Sequence, residues 1–103
     1  MATSSVNNIP IRLPDERWIH ITEEHCELAG FRREVLETIA HPARIYEGNQ
    51  GELLALKPLS DNKWLVVVYK EIDDTDGFVI TAFLTKRLQA FQNRRLCYER
   101  KTG

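Results

Sequence analysis

Long apolar runs are missing from this chain. The longest, Trp64 to Tyr69, is six residues, where a membrane helix needs about 18 or more. Cysteine is scarce: Cys26 and Cys97 lie 71 positions apart and make no CxxC or metal-type spacing, which removes the zinc-finger and disulfide-scaffold classes. Two reduced thiols in the cytosol are expected, one disulfide being the alternative. Met1–Pro10 lacks both a basic n-region and an apolar h-region, so a secretory signal is not expected there. A phosphate loop, a dinucleotide glycine pattern, a GxSxG elbow and an HExxH pair are also missing, so neither a cofactor nor a metal is expected.

What is present is ordinary globular composition, 43% apolar and 28% charged over 103 residues, enough for one domain with a single core. The net charge of −1 hides a split: residues 1–85 carry −6 and residues 86–103 carry +5. A basic tail on an acidic body suits a nucleic-acid backbone, because phosphate neutralisation drives binding. A solvated helix with basic residues toward its C-terminal end explains the same charges.

Residues 1–16, broken by Pro10 and Pro14, read as a flexible lead-in to one α+β domain over 17–103. Trp18–Ile21 reads as a short strand, and Thr22 as the N-cap of a short helix that Gly30 ends. Phe31, Val35, Leu36 and Ile39 recur at helical spacing and His41-Pro42 stops that second helix. Four strands follow, Arg44–Glu47, Glu52–Leu59, Trp64–Ile72 and Phe78–Thr85. The short turns between them, at 48–51, Ser60–Lys63 and 73–77, force antiparallel neighbours. Lys86–Arg100 reads as a closing helix with Leu88, Phe91 and Leu96 as its apolar stripe. The expected fold is α+β, with two N-terminal helices on a four-stranded antiparallel sheet and a C-terminal helix.

Chemistry falls to a few side chains. His20 and His25 stand five residues apart at an element boundary. Two imidazoles titrating near neutrality can act as general base and general acid in RNA cleavage, where the 2′-hydroxyl is the nucleophile. Each also has a bland reading as a structural group, and His41 is read as structural. Thr81 and Thr85 share a face of the last strand, where a hydroxyl can bond a phosphate or fill a β-favoured slot. Lys70 or Tyr69 is expected to reach the sheet's open face. Arg44 is a candidate phosphate clamp, with a surface salt bridge as its alternative. Arg94 and Arg95 belong to the basic tail and join Arg44 and Thr85 as candidate substrate contacts. The acidic turn Glu71–Asp76 lacks the alternation of a calcium loop and reads as a solvated hairpin tip.

The string His20-Ile21-Thr22-x-x-His25, the helix ending in Ile39-x-x-Pro42, and the strands Trp64-Leu65-Val66-Val67-Val68 and Phe78-Val79-Ile80-Thr81-Ala82-Phe83 resemble a known group. They look like small phage- and mobile-element-associated domains of the barnase–EndoU–colicin–RelE-like ribonuclease superfamily, over about residues 17–86. The resemblance implies metal-independent RNA cleavage in the cytoplasm, often as a toxin in a toxin–antitoxin or phage-conflict system. It implies His20 and His25 as the acid/base pair, Lys70 as a charge stabiliser and Thr81 as a phosphate-contacting hydroxyl. RNA is then the expected partner, with an antitoxin or other protein as a second, and no membrane. The rival expectation is a non-catalytic protein-interaction domain on the same scaffold. A third is a sequence-tolerant nucleic-acid binder using Lys86–Lys101, with Phe91 and Tyr98 as stacking platforms.

Overall fold

The computed structural model describes residues 2–60 and 62–100; Asp61 of the expected Ser60–Lys63 turn and Lys101 of the basic tail lie outside the described residues. The chain runs β1 (Ala2–Ser4), β2 (Pro10–Arg12), α1 (Asp15–Glu24), α2 (Arg32–Ala40), β3 (Arg44–Glu47), β4 (Leu53–Ser60), β5 (Lys63–Asp73), β6 (Asp76–Thr85) and β7 (Leu96–Glu99). Short 3-10 turns lie at Cys26–Leu28 and Leu88–Phe91. The class is α+β.

The sheet corrects the expected architecture. Among the described residues it has seven strands in the order β1-β2-β6-β5-β4-β3-β7, and β2 runs parallel to β6, so it is mixed rather than a four-stranded antiparallel sheet. The hairpin core is where the turns placed it: β3, β4, β5 and β6 are sequential antiparallel neighbours and β5 lies at the centre of the seven. Both additions came from segments with weak patterns. Residues 2–12, within the stretch expected to be a flexible lead-in, form the β1–β2 hairpin, and Ile11 and Leu13 are fully buried. The expected C-terminal helix over Lys86–Arg100 is instead the second 3-10 turn followed by β7, which pairs with the outer edge of β3. Leu88 and Phe91 are three apart, one 3-10 turn, and beyond it pairing of Leu96–Glu99 with β3 overrides the helix propensity of Gln92, Arg94, Arg95 and Leu96.

The first helix also differs. Trp18–Thr22, expected as a strand and cap, lies inside α1. Pro14 presets φ at −63° ahead of Asp15, and Asp15 and Glu16 occupy the first turn, where carboxylates suit the dipole. Trp18 and Ile21, three apart, then pack inward, while Ile19 is 57% exposed. The Thr22 hydroxyl donates to the carbonyls of Trp18 or Ile19 at 3.1 and 3.0 Å. Gly30 takes φ +87°, the left-handed turn that brings the chain back into α2.

The two sheet faces carry separate cores. Against the helices pack Ile45, Ala55, Leu65, Val67, Tyr69, Val79 and Ala82, with Ile21, Val35 and Ile39 above them. On the other face Leu54, Leu56 and Val66 are capped by Phe91 from the 3-10 turn. A bulge shifts the β5–β6 register: Val68 pairs with Thr81 and Tyr69 with Val79, leaving Ile80 extra. The uninterrupted alternation expected for Phe78–Thr85 therefore breaks, and Val79 joins Ala82 in the helix-covered core. Thr81, Phe83 and Thr85 still share the second face. Gly77 lets β2 approach, since a Cβ there would stand 2.6 Å from the Lys70 carbonyl oxygen and 2.5 Å from Ile11 Cδ1. No helix among the described residues is long and apolar enough to cross a membrane.

Candidate functional site

Strand β6 meets β2 only at Phe78, opposite Arg12. Beyond that point the chain turns through Leu13 and Pro14 into α1, which runs beside β6, and Arg17 Nη1 donates to the Ile80 carbonyl at 3.5 Å. This brings both helix histidines to one strand. His20 lines an open groove of about 620 Å³ with Arg12, Arg17 and Phe78. Its Nε2 is 3.0 Å from Glu24 Oε1, one turn on. His25 ends α1, half-buried, with its ring centre 6.2 Å from that of Phe83. Its Nδ1 is 3.7 Å from Glu27 Oε2. Thr81 lies between Phe78 and Phe83 along the strand and shares the Phe83 face.

Arg12 is the fixed cation of this groove. Its Nε and Nη2 donate to the two carboxylate oxygens of Asp76 at 2.8 and 3.1 Å. Those hydrogen bonds hold the Asp76 carboxyl below its ordinary 3.8 and raise the guanidinium further. Arg32 fastens the frame behind it, donating to the Leu13 carbonyl at 2.7 Å and to Asp15 Oδ1 at 2.8 Å.

The other expected residues are spread elsewhere. Lys70 shares the second face with Thr81, but its Cε lies close to Gly51, 3.8 Å from where a Cβ would stand, and its charge helps lower the Glu52 carboxyl, after the hydrogen bonds from Gln50 and Glu52 backbone N–H groups. It lies against the β3–β4 turn. Thr85 Oγ1 accepts the Arg87 N–H at 3.1 Å and caps the turn out of β6. Arg94 Nη1 donates to Asn49 Oδ1 at 3.2 Å and to the Glu47 carbonyl at 3.4 Å, and Arg95 Nη1 stands 3.7 Å from Glu47 Oε1. Both arginines thus fold back on the β3–β4 turn. Arg44 Nε is 3.3 Å from Glu99 Oε2, while Arg44 Cζ lies 5.9 Å from the centre of the Trp64 ring.

A second groove, about 640 Å³, opens on the sheet face away from the helices and is lined by Arg44, Tyr46, Trp64, Lys86, Gln89 and Gln92 among others. Arg44 was visible in the sequence as a candidate. Trp64 had a signal too, a large aromatic at the start of an apolar strand on the face of Val66 and Val68. Of the stacking platforms expected in the tail, Phe91 is buried beneath this groove and Tyr98 packs on the helix-covered core. Among the described residues no group of three or more His, Cys, Asp or Glu side chains is placed to hold a metal ion. Both cysteines are exposed thiols. In comparisons with known proteins, no family model, curated protein or solved structure matches the chain.

Proposed function

We propose that the protein is a ribonuclease-like domain that cleaves RNA by histidine acid/base chemistry at the α1–β6 seam. One observation carries the reading: α1 places His20 beside Phe78 and His25 beside Phe83, on either side of Thr81 in the same strand. In the reaction one imidazole removes the proton of a ribose 2′-hydroxyl, whose oxygen attacks the adjacent phosphorus. The other imidazole protonates the leaving 5′-oxygen, and a cyclic 2′,3′-phosphate forms. Arg17 and the Thr81 hydroxyl supply donors for charge developing on the phosphate oxygens. RNA as the partner, a cytoplasmic setting, and a toxin role countered by an antitoxin go with this reading through the superfamily resemblance.

The test is incubation of purified protein with total RNA plus EDTA from about pH 5 to 9, bracketing the histidine range. Cleavage should follow a bell-shaped profile. His20→Ala and His25→Ala should each lower the rate roughly 10²–10⁴-fold, the usual share of one general acid or base. Cleavage that ignores both substitutions, or none at any pH, removes the catalytic reading.

The rival, a non-catalytic protein-interaction domain, draws on two features. Each imidazole already faces its own glutamate, and Ile19, next to His20, is 57% exposed. Well-folded parent protein without cleavage, whose binding of a partner protein is lost in Ile19→Asp, would favour it.

A further inference from the structure

We infer that the Arg44–Trp64–Lys86 groove is a strand-holding subsite, in which one unpaired nucleobase stacks on Trp64 and the flanking phosphates meet Arg44 and Lys86. The inference rests on the reading above for RNA as the strand, but not on cleavage.

Five observations carry it. The groove presents aromatic faces that are only partly covered, those of Tyr46 and Trp64. Tyr46, beside Trp64 in the groove, stacks on Phe91 with ring centres 5.6 Å apart and planes 22° from parallel, so that ring is held in place, while the Arg44 guanidinium lies over the Trp64 ring at 5.9 Å from its centre. Among the described residues its lining has two cations and no carboxylate, although the body of the chain is acidic. Gln89 and Gln92 add amides that both donate and accept, as base edges require. The volume of about 640 Å³ falls in the usual range for a small-ligand site. Base stacking on aromatics beside a cationic groove is the sequence-tolerant way proteins hold single strands.

Position supports the same assignment. Trp64 pairs directly with Thr85 of β6, and Val66, two residues on, pairs with Phe83, the neighbour of His25. The groove therefore begins one strand away from the α1–β6 seam, on the same sheet face as Thr81. A strand lying across β6 and β5 to reach Arg44 on β3 spans three inter-strand spacings, about 14 Å. An acidic peptide would also be drawn to the cations, but such a ligand would make no use of the flat rings.

The test is an anisotropy titration with a labelled single-stranded RNA of about a dozen nucleotides, a length within common site sizes. A DNA strand of the same sequence distinguishes RNA from single strands in general. Lys86→Glu changes an exposed side chain; it should leave the melting temperature near the parent's, weaken binding several-fold and lower the salt slope by about one unit. Trp64→Ala should weaken binding by about 5- to 100-fold, the usual effect of removing a stacking ring, and Trp64→Phe should recover most of it. Parent affinity in both Lys86→Glu and Trp64→Ala would overturn the subsite, as would binding of an acidic peptide with no binding of RNA or DNA. Equal binding of the DNA strand supports the groove while removing RNA selectivity from it. A protein that binds RNA through Trp64 yet never cleaves keeps the subsite and loses the catalytic reading. One that cleaves with affinity indifferent to Trp64 does the reverse.

Discussion

Asp76 shows how a single ion pair joins the site to the fold. It begins β6, while Arg12 ends β2, so their bidentate pair clamps the parallel seam that also forms the wall of the His20 groove. The pair is exposed, so it contributes modestly in salt solution. Its effect is clearest through pH. Arg12 depresses the folded-state pKa of Asp76, hydrogen bonds from the Thr75 N–H and hydroxyl depress that of Asp73, and Gln50 does the same for Glu52. A depressed carboxyl pKa contributes stability that is complete above the unfolded value. That stability drains as pH falls through the folded value, so the loss belongs between roughly pH 5 and pH 2. Asp76→Asn should therefore flatten the acid limb of a melting-temperature profile and leave the limb above pH 7 alone. An unchanged acid limb would mean that the clamp does not form in solution. Another residue, Tyr69, sits fully buried with a phenolic oxygen that lacks a hydrogen-bond partner among the described residues, and burial raises its pKa. That costs stability in the strand at the centre of the sheet, against a large apolar gain from the ring itself.

Elements differed in how plainly the sequence declared them. The β3–β6 hairpins were legible because turn residues bracket each strand and β5 holds the unbroken apolar run Trp64–Tyr69. Helix α1 was not, because Ile19 and Ile21 alternate like a strand, and only the Pro14–Asp15–Glu16 start distinguishes the helix. The C-terminal stretch misled for a related reason: Leu88, Phe91 and Leu96 mimic a helical stripe, though the first two make a single 3-10 turn and Leu96 pairs with Tyr46 in the sheet. The site inherits these limits. The histidines were visible as a spaced pair, whereas Arg12 came from a segment with too little pattern to suggest a strand, and it reaches His20 only through the parallel seam. The 3-10 turn offers the sharpest test at this scale. Phe91, 5% exposed, covers Leu54, Leu56 and Val66 and backs Tyr46. Phe91→Ala should cost about 3–5 kcal/mol in urea denaturation, the usual range for a buried phenylalanine. A loss below about 1 kcal/mol, the size of a surface change, would mean that the turn lies loosely on the sheet.

At the scale of the whole molecule, the β1–β2 hairpin decides whether the sheet is a finished object. Without it β6 would be an edge strand with unpaired backbone groups at Phe78, the kind of edge that invites pairing with another chain. The hairpin also fills the core: Ile11 and Leu13 are fully buried, and Val6 and Ile9 pack against the same cluster. Ser5 Oγ donates to Glu71 Oε2 at 2.5 Å, and Asn7 Nδ2 donates to the same carboxylate at 3.1 and 3.2 Å, fastening the turn to the end of β5. Burying two large aliphatic side chains contributes about 3–6 kcal/mol, against a total of about 5–15 kcal/mol for a domain of ordinary stability. Removing residues 2–13 should therefore abolish most or all of the cooperative thermal transition seen by circular dichroism and produce self-association in light scattering. Ile11→Ala, which keeps the backbone of β2, should cost about 2–5 kcal/mol and stay monomeric. The two variants separate core filling from edge covering: if the truncated chain unfolds without associating, only the first matters. If it instead melts at the parent temperature, the segment is a flexible lead-in after all. The His20 groove would then lose its Arg12 wall, and α1 would have to be positioned by Arg17, the Arg32–Asp15 pair and its own packing.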